Sequence, residues 1–146
     1  MDLLRFYGLK PTTLLDVNQS DEMRDVALSA WSDLSAVAPI FIIIMVAGGL
    51  GLAAYYYTAY NNQPGRHYTP KHWAIFYAIN IIGVLILTWL VAWLAQKDYG
   101  INGLGDIRGR LVACNTLYAI GLYLIVSLIW CNTSLKTNAY RLLKIK

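Results

Sequence analysis

At 146 residues the chain has the length of one domain, yet 58% of it is apolar and only 14% charged, where soluble domains carry roughly a quarter charged residues. That balance excludes an ordinary water-soluble globule. The formal net charge of +4 is not a nucleic-acid footprint, because no basic run interleaves with aromatics; the basic residues read as topology and headgroup anchors.

Residues 1–35 form an N-terminal arm and helix. They carry Asp2, Asp16, Asp21, Glu22, Asp25 and Asp33 and lack a continuous apolar core, so they do not read as a cleavable signal peptide. The first 19 residues mix Leu3, Leu4, Phe6, Tyr7, Leu9, Leu14 and Leu15 with Gly8 and Pro11, which argues against one long helix. Ser20 is a candidate N-cap, and Asp21 and Glu22 suit the first turn of a helix. Met23, Val26, Ala27, Ala30, Leu34 and Val37 then recur at helical spacing. The pattern predicts an amphipathic helix with an acidic polar face, disfavouring anionic lipid as its partner. Met23, Val26, Ala30 and Leu34 are expected to dock on protein, either the same subunit or a neighbour.

Residues 36–60 hold no charge. About 20 apolar residues suffice to cross a hydrocarbon core of about 30 Å, so this block is the first expected span and the insertion signal. Pro39 breaks the chain or starts the new helix. Ala47, Gly48, Gly49, Gly51 and Ala53 form a small-residue stretch in which Ala47 and Gly51, and Gly49 and Ala53, are four apart. Such spacing lets two helix backbones approach closely in lipid, within the chain or between copies. Tyr55, Tyr56, Tyr57 and Tyr60 close the span as an aromatic belt.

Residues 61–72 are a loop by composition. His67 and His72 fall short of a four-ligand metal set and read as interfacial histidines. The second span, residues 73–95, is bounded by Trp73 and Tyr77 at one interface and Trp89 and Trp93 at the other. Asn80 is its strongly polar member, with Thr88 and Gly83 as milder exceptions; a buried amide in lipid needs a partner, and gluing helices is its usual role. Residues 96–110 form a glycine-rich loop. Gly103, Gly105 and Gly109 have the wrong spacing for a dinucleotide fingerprint, no strand precedes them, and a Walker lysine is absent.

Residues 111–130 are the third span, with Asn115, Thr116 and Ser127 as polar members and Trp130 at its end. Hydroxyls in spans commonly bond their own backbone. Cys114 and Cys131, 17 residues apart in sequence, would lie about 25 Å apart on one helix, too far to bridge. The basic tail, residues 131–146, places Lys136, Arg141, Lys144 and Lys146 among Tyr140, Leu142, Leu143 and Ile145, a pattern suited to headgroups. Tyr57, Trp73, Trp93, Trp130, Lys136 and Arg141 are the expected membrane-interface residues.

The expected fold is therefore all-α and integral to a membrane: three transmembrane helices preceded by an acidic amphipathic helix. Among basic residues near the spans, those of the first loop and tail outnumber those on the opposite side, which places the N-terminus outside and the C-terminus in the cytoplasm of a plasma or inner membrane. Asp98 and Asp106 fall on the opposite side from His67 and His72, so no joint catalytic site is expected, and the spans hold no ionisable group of the kind an active transporter uses. Nothing points to a cofactor, metal or small-molecule substrate. The expected partners are the bilayer and other membrane subunits or copies of the chain. The primary reading is a non-catalytic anchor or scaffold subunit of an envelope complex for secretion, injection or transport. The alternative is a homo-oligomeric pore; its outline of three spans, outside N-terminus and basic tail is similar to that of holins, in architecture and not in any motif. A pore requires Asn80, Asn115, Thr116 and Ser127 to contribute to a continuous polar stripe.

Overall fold

The computed structural model describes residues 3–18, 20–61, 63–64, 70–96 and 99–133. Among these residues the chain is helical and has no strand. A 3₁₀ turn spans Leu3–Tyr7, followed by α1 (Thr12–Leu15), α2 (Asp21–Ala36) and α3 (Ala38–Val46). A π turn (Ala47–Gly51), α4 (Leu52–Tyr55) and a second π turn (Tyr56–Tyr60) continue the same helical run, before α5 (Pro70–Gln96) and α6 (Leu104–Thr133). Three of these runs, Asp21–Tyr60, Lys71–Gln96 and Leu104–Thr133, are long and apolar enough to cross a membrane.

The boundaries have local causes. Ser20 is extended, with φ −74° and ψ 145°, and its carbonyl accepts the Arg24 N–H at 2.9 Å, but its side chain makes no capping bond. Asp21 and Glu22 occupy the first turn of α2, where carboxylates favour the helix dipole. Pro39 lies inside α3; the turn that separates α2 from α3 falls two residues earlier, at Val37, with ψ near 0°. Pro70 opens α5, in the first helical turn, where its missing N–H would have no intrahelical partner anyway. The glycine-rich loop expected over 96–110 is shorter than that: α6 begins at Leu104, so Gly105 and Gly109 are helical. Gly103 makes the entry with φ +81°, its carbonyl accepts the Ile107 N–H at 3.2 Å, and Asp106 sits in the first turn.

The described residues divide into two compact units, one drawn from Met1–Ile44 and Leu85–Asn115, the other from Met45–Val84 and Thr116–Lys146. In the first, the N-terminal arm supplies Leu4, Tyr7, Leu9 and Leu14 to a core shared with Ala27, Ala30, Trp31 and Leu34 of α2, Phe41 of α3, Ala92 of α5, and Leu104, Ile107 and Leu111 of α6. The apolar face of α2 is thus covered by the chain itself. In the second unit, Tyr56, Tyr57 and Cys131 form a core against which Tyr60, Trp73, Phe76, Val126 and Trp130 pack. Beyond Lys71 the outward-facing positions of α5 are apolar: Ile75, Ile79 and Ile82 are exposed in the second unit, and Leu85, Ile86, Trp89, Leu90, Trp93 and Leu94 in the first.

Candidate functional site

In the first unit one amide gathers four chain segments. Asn115 of α6 is fully buried. Its Oδ1 accepts the Tyr7 hydroxyl of the arm at 2.8 Å, and its Nδ2 donates to Thr88 Oγ1 of α5 at 2.7 Å and to the Phe41 carbonyl of α3 at 3.2 Å. An unpaired amide in an apolar surround costs several kcal/mol; three bonds offset that cost and fix the arm against the helices. Thr88 accepts from a neighbouring helix rather than bonding its own backbone, contrary to the common habit of hydroxyls in spans.

The same unit carries polar contacts around the α5–α6 connection. The buried Asn18 donates from Nδ2 to the carbonyls of Leu14 at 2.8 Å and Asn102 at 3.0 Å, while its Oδ1 accepts the Asn102 N–H at 3.2 Å. The Tyr99 hydroxyl donates to Asp33 Oδ2, and the neighbouring carboxylate raises the phenol above its ordinary pKa, with the hydrogen bond as the main cause. Arg108 Nε donates to Gln96 Oε1.

In the second unit Asn80 Nδ2 of α5 donates to the Ala119 carbonyl of α6 at 3.3 Å, and the Trp73 indole donates to Ser127 Oγ at 3.1 Å. The Tyr57 hydroxyl and the Cys131 thiol meet at 3.8 Å. Around them the Tyr57 ring stacks on Trp130, Trp73 stacks on Tyr77, and Phe76 lies against Tyr56 and Tyr60. Tyr123 is fully buried, and among the described residues neither its hydroxyl nor that of Thr116 has a hydrogen-bond partner.

The small-residue stretch splits between two uses. A Cβ on Gly48 would lie 2.4 Å from Val84 Cγ2 and 2.7 Å from Asn80 Oδ1, and one on Gly49 would lie 2.6 Å from Leu122 Cβ and 2.9 Å from the Ala119 carbonyl. Neighbouring glycines point in different directions around a helix, so Gly48 receives α5 and Gly49 receives α6. Ala53 is buried as well. Ala47 and Gly51 are exposed, and a Cβ at Gly51 meets nothing within 4 Å.

The remaining expected site residues fall as follows. Ala30 and Leu34 are buried against the chain's own arm, Val26 is half-buried, and only Met23, at 41% exposure, is open to a partner. Of the two alternatives for this face of α2, packing within the same subunit accounts for Ala30 and Leu34, which share a core with Leu4, Tyr7, Leu9 and Leu14 of the arm. Asn80, Asn115, Thr116 and Ser127 are all buried, so none contributes to an outward polar stripe. Tyr57, one of the expected membrane-interface residues, is 1% exposed: its ring stacks on Trp130 and its hydroxyl meets the Cys131 thiol. Trp73 and Trp130 are half-buried, and Trp93 is exposed. Lys136 and Arg141, with the rest of the tail beyond residue 133, and His67 lie outside the described residues.

Tyr7, Asn18, Gln96 and Arg108 carry contacts that sequence reasoning did not single out. Tyr7 and Asn18 sit in an irregular arm with no period to mark them, and Gln96 and Arg108 looked like ordinary flanks of a loop. These polar groups can hold helices, an arm and a connection in register. Compared with protein-family models, with curated proteins and with solved structures, the chain matches none.

Proposed function

We propose that the chain is a three-span integral membrane protein and serves as a non-catalytic anchor or scaffold subunit of a larger envelope assembly for secretion, injection or transport. The observation that supports this best is the division of labour among small residues in the second unit. Gly48 and Gly49 are consumed by the chain's own helices, while Ala47 and Gly51 remain exposed beside Leu50, Ala54 and Tyr55. Two small residues four apart on an outward face allow another helix to approach closely, and in lipid such packing drives association. The exposed apolar side chains of α5 suit lipid or further subunits. In this reading the N-terminus lies outside and the basic tail in the cytoplasm.

The burial of Asn80, Asn115, Thr116 and Ser127 favours a subunit over a homo-oligomeric pore, which needs polar residues on the surface that lines it. Native mass spectrometry of the protein extracted gently from its own cells tests both. Stoichiometric association with other gene products that is lost on Gly51→Ile is the expected result. A large ring of this chain alone would favour the pore, and a solitary monomer would sink the scaffold.

A further inference from the structure

We infer that Arg108, oriented by Gln96, binds the phosphate of an anionic phospholipid, an inference that rests on the membrane reading above. Gln96 is the last residue of α5 and is fully buried; its Oε1 accepts Arg108 Nε, and its Nε2 has no hydrogen-bond partner among the described residues. Arg108 is half-buried on the second turn of α6, and among the described residues no carboxylate forms an ion pair with it. A guanidinium carries five N–H donors and no acceptor. With Nε committed to the amide, its remaining donors and Gln96 Nε2 are all hydrogen-bond donors. The complementary ligand supplies acceptors and negative charge only.

A phosphate matches that demand, and the planar fork of arginine binds it through two parallel bonds. A half-buried cation without a counterion is unfavourable, so the ligand neutralises a standing cost. The surroundings point to a lipid as the source. Both residues lie at ends of helices long enough to span, where headgroups sit. Trp93, three residues before Gln96 and so on its side of α5, stacks with Trp89 at 6.4 Å and 11°, and both indoles are about half exposed, at 49% and 51%. Amphipathic indoles favour the headgroup level, and the exposed Leu90 and Leu94 offer apolar surface to acyl chains. On α6, Cβ atoms at Gly105 and Gly109 would meet nothing within 4 Å among the described residues, which leaves that side of α6 open beside Arg108.

The full chain in a neutral detergent is titrated with phosphatidylglycerol and, separately, with phosphatidylcholine, and retained lipid is counted by native mass spectrometry. The wild type is expected to retain phosphatidylglycerol selectively. Arg108→Gln should weaken that binding roughly tenfold or more, Arg108→Lys should weaken it less, and Arg110→Gln, at an exposed neighbour, should leave it unchanged. Equal selectivity in the wild type and both Arg108 variants overturns the site, as does an equal loss in Arg110→Gln. If Arg108→Gln loses its helical circular dichroism, the lysine variant alone decides. Millimolar inorganic phosphate is added as a competitor; displacement of the lipid by phosphate at that level overturns the lipid assignment. Flotation with vesicles separates the two readings: a chain that does not float fails the membrane reading and the site together, whereas one that floats without lipid selectivity fails the site alone.

Discussion

The hydroxyl of Tyr7 donates to Asn115 Oδ1 at 2.8 Å across 108 residues of sequence. This bond ties the 3₁₀ turn at Leu3–Tyr7 to the interior of α6, and the same amide reaches Thr88 and the Phe41 carbonyl. Asn115→Ala removes all three bonds and strands their partners. The expected cost is about 1–3 kcal/mol, in keeping with buried groups left unsatisfied and with interhelical bonds in membranes. Tyr7→Phe removes one bond and should cost about 1 kcal/mol. Denaturant unfolding in detergent measures both; wild-type stability in both variants would remove the network from the account of how the arm is held.

Gly49 and Gly51 are two residues apart and should respond oppositely to a methyl group. Alanine at Gly49 meets Leu122 Cβ and the Ala119 carbonyl at less than 3.0 Å, and relieving such overpacking costs roughly 1–3 kcal/mol. Alanine at Gly51 meets nothing and, with its better helix propensity, should change stability by no more than about 1 kcal/mol, in the stabilising direction. Thermal unfolding of the two variants side by side checks the contrast. Equal melting temperatures would contradict the packing described for Gly49.

Tyr99 should titrate above the ordinary phenol value of about 10 because its proton is held by Asp33. A phenol pKa raised by folding contributes stability that is complete below the unfolded value and is lost as pH rises through the folded value. The window is therefore alkaline, beginning near pH 10. Asp33→Asn should return the Tyr99 titration towards its ordinary value, read as the change in tyrosinate absorbance relative to Asp33→Asn/Tyr99→Phe. A Tyr99 titration that does not move on removal of the carboxylate would rule out the contact as its cause.

The long apolar helices were legible because exclusion of charge over more than twenty residues leaves few other outcomes. The uses of their small and polar residues were less so. Spacing shows that Gly49 and Ala53 share a face, and Ala47 and Gly51 another, but not which face the chain keeps for itself; that depends on the rotation of the helix against α5 and α6. The glycines of 96–110 looked like one loop since glycine is a poor helix former, yet apolar Leu104, Ile107 and Leu111 bury on one side and carry the helix through Gly105 and Gly109. Asn80 as glue between helices was readable from its isolation in an apolar block, and its bond to the Ala119 carbonyl fits that role. The pairing of Tyr7 with Asn115 has no local signature at all.

The anchoring of the arm to Asn115 also orders events in time. A ribosome makes the arm before Asn115, with more than a hundred residues between them, an interval of roughly 5–20 s at ordinary elongation rates. For that period Leu4, Tyr7, Leu9 and Leu14 have no completed seat, since Leu104, Ile107 and Leu111 of the same core are also still unmade. The emerging protein thus carries a sticky, unhoused arm while its helices are being delivered, and that arm finds its seat only once α6 has been made.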